Sequence, residues 1–293
     1  MENPEIETIR GALKATPRPA GLAERRARLD ALGARYALPG DVRTEPVDAN
    51  GVPAEWTSTP YADANRVIMF LHGGAYISGS IASHRHVMAE LGRQAAARTL
   101  ALDYRLAPEH PFPAALNDAI AGYRFLLSSG CDPARITLAG ESAGGGLAIA
   151  TLIALRDAGV ALPRSVWCAS PWVDLEMTGA TMASKADVDP LIQKPYLLET
   201  ASAYLHGADP RSPFVSPIHA DLHGLPAMLI QVGSAETLLS DSIMLTAVAG
   251  EADVNVTLQV WPEMIHAWHL FHPQLAEGRA SLAAVGAFIR SVS

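Results

Sequence analysis

Residues Arg135 to Ile149 read RITLAGESAGGGLAI, and this stretch decides the fold that we expect for the rest of the chain. Residues 136–139 form a short apolar run of strand character, and the small, Leu- and Ile-rich residues after Ser142 have helical spacing. A strand that turns directly into a helix needs glycines beside the turn, and Gly140 and Gly144 supply them. The stretch therefore predicts a strand, a sharp turn with Ser142 at its apex, and a helix.

Ser142 would lie at the N-terminus of that helix. Unpaired backbone N–H groups and the helix dipole favour negative charge there, which suits an oxyanion developing beside the serine. We therefore interpret Ser142 as a candidate nucleophile. The pentapeptide alone leaves open a glycine-rich turn without chemical meaning, because short Gly/Ser patterns recur by accident.

The composition is that of a globular protein of enzyme size. The chain has 293 residues, of which 49% are hydrophobic and 18% charged, and this length allows one large domain or two modest ones. Its net charge is -8, without a basic cluster, which argues against nucleic acid or an anionic membrane as a partner.

Cysteine usage and the N-terminal sequence indicate the compartment. Cys131 and Cys168, the only cysteines, are far apart and lack any CxxC grouping, so we interpret them as free thiols in a reducing compartment. The N-terminus, MENPEIETIR, is acidic where a signal peptide would be basic and then apolar. No apolar run approaches the ~18 residues of a membrane span. We expect a soluble, cytoplasmic protein without a membrane span.

The order of predicted elements indicates an α/β fold. Asn50-Gly51 between two β-like runs predicts a hairpin that opens the sheet with an antiparallel pair. After residue 66, strands and helices alternate at βαβ spacing, which predicts a mostly parallel central sheet flanked by helices. The strand-end loops of such a sheet carry the active site. The later strands are expected at residues 99–105, 136–139, 166–171, 227–233 and 254–261.

Two regions do not follow this alternation of strands and helices. Amphipathic helices are predicted from Glu2 to Lys14 and from Gly21 to Tyr36, before any strand. Between Leu175 and Asp209 the strands stop, and one helical stretch, Tyr196 to Tyr204, stands in polar and Pro-containing sequence. An excursion of this length between core strands is typical of a lid.

A second glycine-rich loop follows the apolar strand at residues 67–71. His72-Gly73-Gly74-Ala75-Tyr76 places two glycines at the carboxyl end of a strand, where the backbone can approach a ligand and its N–H groups remain free. We expect His72 to hold this loop by hydrogen bonds. His84 and His86 are expected at the start of the next helix, on the surface.

Four motifs together resemble one known family. HGGAY at His72, DYRLAPEHPFPAA at Asp103, GESAGG at Gly140 and MIHAW at Met264 are similar to motifs of the hormone-sensitive-lipase-like esterases of bacteria, often called family IV. The resemblance implies an α/β-hydrolase fold with a helical cap. The implied cap comprises residues 1–45 and 176–209, and the implied catalytic core comprises residues 46–175 and 210–293.

The resemblance implies a serine triad. It assigns Ser142 as nucleophile and His266 as general base and acid, and the chain order of Ser, acid and His agrees with α/β-hydrolase triads. The family's D-x-L-x-D pattern is replaced here by Glu236-Thr237-Leu238-Leu239-Ser240-Asp241. We prefer Glu236 as the acid, because it stands where the first acidic residue belongs. Asp241 is the alternative, and its position fits the first turn of the next helix.

The same resemblance implies an oxyanion hole and a pocket. Backbone N–H groups of Gly73, Gly74 and Ala143 would converge on the developing charge. Ala75 departs from the family's HGGG form, which should not abolish a hole made of backbone donors. Candidates for an apolar acyl pocket are Tyr76, Trp172, Tyr196 and Leu197, although ordinary core positions would explain them equally well. His269 and His272 have a spacing that suggests a metal, but no carboxylate completes the set.

These residues predict a carboxylesterase without cofactor or metal. Its substrate would be a small-molecule ester cleaved through an acyl-enzyme. The resemblance and the predicted lid suggest an acyl group of short to medium length. A lactone hydrolase or an N-deacetylase would need the same constellation, so both stay open. A nucleotide-binding oxidoreductase would need a GxGxxG or GxxxxGK motif, which is absent. Receptors of similar fold bind a ligand without hydrolysis, but they lack the triad histidine, which this chain has at His266. The resemblance also suggests a homodimer.

Overall fold

The computed structural model describes residues 3–292, and within this range eight strands form one sheet. The strands are β1 Arg43–Asp48, β2 Pro53–Ser58, β3 Asp63–Leu71, β4 Ala97–Leu102, β5 Ile136–Glu141, β6 Ser165–Ala169, β7 Ala227–Gly233 and β8 Val256–Trp261. Their order is β1-β2-β4-β3-β5-β6-β7-β8. β1 and β2 pair antiparallel, as do β2 and β4, and the other neighbours are parallel. The predicted hairpin and the mostly parallel sheet are both confirmed.

The helices connect these strands and cover the sheet. They are α1 Pro4–Lys14, α2 Leu22–Ala34, α3 Ile81–Ala95, α4 Ala114–Ser128, α5 Ala143–Asp157, α6 Thr181–Ser184, α7 Lys194–Leu205, α8 Leu239–Glu251 and α9 Ala276–Val292. Short 3₁₀ segments lie at Pro133–Arg135, Pro217–His219 and Trp268–Gln274. The predicted start of α1 at Glu2 lies outside the described residues.

The central strands are apolar on both faces, which explains why they have no polar alternation. In β3, Val67, Met69 and Leu71 face one hydrophobic core, while Ile68 and Phe70 face a second. Residues of α4, α5 and α8 complete the first core, and residues of α1, α3 and α9 complete the second. The sheet is therefore a buried central layer between two layers of helices.

The N-terminal segment divides its contacts between two parts of the molecule. In α1, Ile6 and Ile9 are buried in the second core. The segment around α2 instead contacts residues 175–209, the stretch without strands between β6 and β7. The Arg18 guanidinium lies 3.3 Å from the ring centroid of Tyr196, and Arg25 pairs with Glu199 at 2.8 Å. Since β1 already begins at Arg43, the boundary that the resemblance implied at residue 45 cuts a strand of the sheet.

The prediction for the start of α3 is wrong. The helix begins at Ile81, and Ser80 and Ser83 form a reciprocal capping box there. His84 and His86 therefore lie inside the helix, and both are buried rather than on the surface. Among the described residues, no helix combines the length and apolar character that crossing a bilayer requires.

Candidate active site

Ser142 occupies the sharp turn between β5 and α5. Its backbone is strained, with φ 53° and ψ -119°. Space around the turn is minimal: a Cβ on Gly140 would lie 2.1 Å from the carbonyl oxygen of Gly144, and a Cβ on Gly146 would lie 2.2 Å from that of Trp172. The local sequence thus folds into the predicted strand–turn–helix because glycine alone fits at these positions.

Three side chains from distant parts of the chain meet at this turn. The Oγ of Ser142 lies 3.0 Å from Nε2 of His266, and Nδ1 of His266 lies 2.7 Å from Oε2 of Glu236. Glu236 follows β7 and His266 follows β8, so the three positions lie at the carboxyl ends of parallel strands. Ser142 is 6% exposed, His266 4% and Glu236 0%. The distances suit proton transfer from a serine hydroxyl to the imidazole, with the carboxylate orienting the ring.

The electrostatics make His266 a stronger base than an ordinary histidine. Burial by itself lowers the pKa of His266, but the hydrogen bond and charge of Glu236, aided by the charges of Glu141 and Asp189, outweigh it and raise the pKa to about 9. Burial also raises the pKa of Glu236, against the opposing hydrogen bond and charge of His266. Each partner thus favours the charged form of the other.

Asp241, the alternative acid, lies elsewhere. Its Oδ2 accepts hydrogen bonds from the backbone N–H groups of Val173 at 3.0 Å and Asp174 at 3.1 Å, in the loop after β6. Burial raises the pKa of Asp241 well above its usual range. Of the two candidate acids, Glu236 is the one within hydrogen-bond distance of the imidazole.

The glycine loop after β3 lies beside the nucleophile turn. A Cβ on Gly73 would lie 1.9 Å from Oε2 of Glu141, and Gly74 has a φ of 122°. Within residues 3–292, the N–H groups of Gly73, Gly74 and Ala143 have no hydrogen-bond acceptor. His72 holds the loop as expected, because its Nδ1–H donates to the carbonyl of Gly73 at 2.8 Å. The loop and the start of α5 therefore offer free donors.

Comparisons with known proteins agree with this geometry. The family model described as alpha/beta hydrolase fold matches residues 68–270. A crystal structure of an esterase from the bacterial hormone-sensitive lipase family has a TM-score of 0.97 and 44% identity, covering 100% of this chain and 99% of that one. The chain belongs to this family. The sequence resemblance is thus confirmed.

Curated relatives of this hormone-sensitive-lipase-like protein carry matching names. An acetyl-hydrolase of Streptomyces hygroscopicus is 45% identical, over 100% of this chain and 98% of the relative. An esterase of Acinetobacter venetianus is 32% identical, over 98% of this chain and 95% of the relative. Both matches span nearly the whole of each protein, so the aligned regions include the segments with the four motifs and the helices outside the sheet.

The four candidate pocket residues of this family member do not all lie together. Tyr76 stacks on Tyr204, with ring centroids 3.8 Å apart, and Trp172 lies 6.1 Å from Tyr76. Tyr196 lies against Arg18 instead, and Leu197 is buried in the first core. The structure brings Tyr76 and Trp172 into one aromatic cluster, whereas Tyr196 faces the N-terminal segment.

Sequence reasoning missed two residues beside the triad. Glu141 directly precedes the nucleophile, and its Oε1 lies 3.5 Å from Nε2 of His266, while its Oε2 lies 3.1 Å from Nε2 of His84. The acidic residue directly before Ser142 in the GESAGG motif is a sequence signal that could have identified Glu141. Ser170 donates a hydrogen bond to Glu236 at 2.8 Å. No sequence signal marked Ser170, because the contact joins the ends of two different strands.

One group of side chains among residues 3–292 has the spacing of metal ligands. It comprises Asp174, Glu176 and His219. Asp174 already accepts hydrogen bonds from the N–H of Glu176 and the hydroxyl of Thr178, and Glu176 lies 3.8 Å from the cation of Arg211. These partners satisfy the carboxylates without a metal, and we assign no metal role to the group.

Proposed function

We propose that the protein hydrolyses carboxylic esters of short to medium acyl length through a Ser142–His266–Glu236 triad and an acyl-enzyme intermediate. The observation that carries the proposal is the unbroken chain of hydrogen-bond distances, 3.0 Å from Ser142 to His266 and 2.7 Å from His266 to Glu236. Membership of the family, with relatives named acetyl-hydrolase and esterase, supports the same reaction.

In the first step, Ser142 attacks the ester carbonyl. His266 Nε2 accepts the serine proton as the Oγ–carbon bond forms, and the tetrahedral oxyanion accepts hydrogen bonds from the N–H groups of Gly73, Gly74 and Ala143. The imidazolium then donates its proton to the leaving alkoxide as the ester bond breaks. The alcohol departs and the acyl group stays on Ser142.

In the second step, water replaces the alcohol. His266 Nε2 accepts a proton from the water as its oxygen attacks the acyl carbon, and the same donors stabilise the second oxyanion. The proton returns to Ser142 Oγ when the acyl–enzyme bond breaks, which releases the carboxylic acid. Glu236 stays ionised throughout, orients the ring through Nδ1 and stabilises the imidazolium that forms in each step.

The aromatic cluster supports a limit on acyl length. Tyr76, Tyr204 and Trp172 are buried, and a Cβ on Gly146, in the first turn after Ser142, would lie 3.3 Å from the Tyr76 hydroxyl. We take these buried rings as one wall of the acyl site, so that a long chain on Ser142 would have to displace them and a short chain would not. The acetyl-hydrolase name of one relative agrees with a short acyl group.

The test is a substrate panel with the wild-type enzyme and two variants. We expect the wild type to cleave p-nitrophenyl acetate, butyrate and hexanoate with a kcat/KM that falls toward dodecanoate. Ser142→Ala and His266→Ala should each lower kcat by ~10⁵-fold or more, because the triad acts as a unit. A lactone and an acetanilide belong in the same panel. Faster cleavage of either would replace the ester as the substrate, and an active Ser142→Ala variant would end the proposal.

A further inference from the structure

Ser170 joins the triad acid to the loop that carries the triad histidine. It directly follows β6, is completely buried and has a left-handed φ of 46°. Its backbone N–H donates to the carbonyl of Gln231 in β7 at 2.7 Å. Its hydroxyl donates to Oε1 of Glu236 at 2.8 Å and accepts from the N–H of Ala267 at 3.3 Å.

We propose that Ser170 is a positioning residue for the hydrolysis, whose hydroxyl fixes the Glu236 carboxylate and the His266 loop relative to each other. This inference rests on the proposed function, because it assigns a role to a residue behind the proposed triad. It adds a fourth side chain, which does not touch the substrate and acts through Glu236 and His266.

The hydrogen-bond partners of the two Glu236 carboxylate oxygens support this role. Oε2 faces Nδ1 of His266, so the orientation of the carboxylate depends on what holds Oε1. Oε1 accepts two hydrogen bonds, one from the N–H of Gly233 at 2.6 Å and one from the Ser170 hydroxyl. Loss of the Ser170 hydroxyl would leave the Gly233 N–H as the one donor to Oε1, which weakens the hold on the orientation of the carboxylate and favours its protonated form.

The Ser170 hydroxyl oxygen also accepts a hydrogen bond from the loop that carries His266. The N–H of Ala267, the residue after His266, has the Ser170 oxygen as its acceptor, and Ala267 has a left-handed φ of 54°. Loss of the hydroxyl would leave this buried N–H without an acceptor. One hydroxyl therefore contributes to the position of both the acid and the base.

Backbone strain and hydroxyl chemistry at residue 170 can be separated by two substitutions. Ser170→Ala removes the hydroxyl and keeps a Cβ at a positive φ, whereas Ser170→Gly removes the hydroxyl and also relieves the strain. Both keep the backbone hydrogen bond to Gln231. Ser165→Ala is the matched control, because Ser165 begins the strand that Ser170 follows, is equally buried and bonds Thr137 at 2.9 Å instead of the triad.

Steady-state kinetics with a short p-nitrophenyl ester test the role, with active enzyme counted by fluorophosphonate labelling and folding followed by circular dichroism. We expect Ser170→Ala and Ser170→Gly to lower kcat by about 10- to 100-fold with little change in KM, since a hydrogen bond to a charged group is lost. The acid limb of the kcat/KM profile should also move to lower pH, because a weaker Glu236 interaction lowers the pKa of His266. Ser165→Ala should match the wild type.

Two results would overturn the role. If both variants keep the wild-type kcat and acid limb, or if the glycine variant alone keeps them, the hydroxyl does not position the triad. If the alanine variant does not fold, the glycine variant carries the test alone. Failure of the proposed function looks different, because Ser142→Ala would then retain activity whatever happens at residue 170.

Discussion

The imidazole of His266 has a carboxylate on each side, and the two sides are built differently. On the Nδ1 side, Glu236 lies at 2.7 Å, and its other oxygen is held by Gly233 and Ser170. On the Nε2 side, Glu141 lies at 3.5 Å, farther than the serine oxygen at 3.0 Å, and its other oxygen faces His84. The first carboxylate sets the direction of the ring, and the second adds negative charge beside the reacting nitrogen.

The largest effect is expected on the Nδ1 side. Glu236→Gln should lower kcat by ~10⁴-fold, because an amide neither fixes the correct imidazole tautomer nor stabilises the imidazolium. The measurement is kcat on p-nitrophenyl butyrate, with folding followed by circular dichroism. A loss below ten-fold would mean that Glu236 is not the acid of the triad.

A smaller effect, with a distinct pH signature, is expected on the Nε2 side. His266 must be neutral to accept a proton, so wild-type kcat/KM should rise with pH toward a plateau above about 9. The charge of Glu141 is one cause of that raised pKa. Glu141→Gln should therefore move the acid limb to lower pH and lower the alkaline plateau by about ten-fold or less, because the imidazolium loses a nearby anion.

A pH profile from pH 5 to 10.5 separates the two sides. Glu141→Gln should remain active at its plateau, while Glu236→Gln should be weak at every pH. If Glu141→Gln leaves the acid limb unchanged, the contact at 3.5 Å does not raise the pKa of His266, and only the Glu236 side would act on the imidazole.

The smallest effect is expected from Asp241→Asn. Burial raises the pKa of Asp241 well above its usual range, which favours the uncharged carboxyl, and an asparagine oxygen can still accept from the N–H groups of Val173 and Asp174. We expect kcat within two-fold of the wild type and a change in unfolding free energy of about 1 kcal/mol or less. A loss as large as that of Glu236→Gln would reverse the assignment of the acid.

The sequence predicted the features that depend on local pattern. The apolar runs of β3, β5 and β7 have strand character regardless of their neighbours, and the glycines around Ser142 permit only a sharp turn. His266 could be named because its motif stands after the last strand, as the chain order of such triads requires. The choice of Glu236 rested on position in a degenerate motif, and its distance to the imidazole agrees with that choice.

The features that depend on tertiary packing were missed or misjudged. The sequence pattern indicates surface positions for His84 and His86, but the Ser80/Ser83 capping box moves the helix start to Ile81, and both side chains are buried. The contact between Ser170 and Glu236 joins residues 66 apart in sequence, and nothing in either local stretch indicates it. Such contacts follow from the parallel order of β6 and β7, which a single sequence leaves open.

The crowding around the start of α5 limits how this enzyme can be redesigned. A side chain added at Gly144 would lie 2.0 Å from the Leu71 carbonyl, and one at Gly146 would lie 2.2 Å from the Trp172 carbonyl. Backbone atoms cannot yield as a flexible side chain would, so libraries randomised at these positions should consist almost wholly of inactive clones. Substitutions should be tolerated far better at exposed positions outside this turn, such as Leu198 on α7, which is 50% exposed.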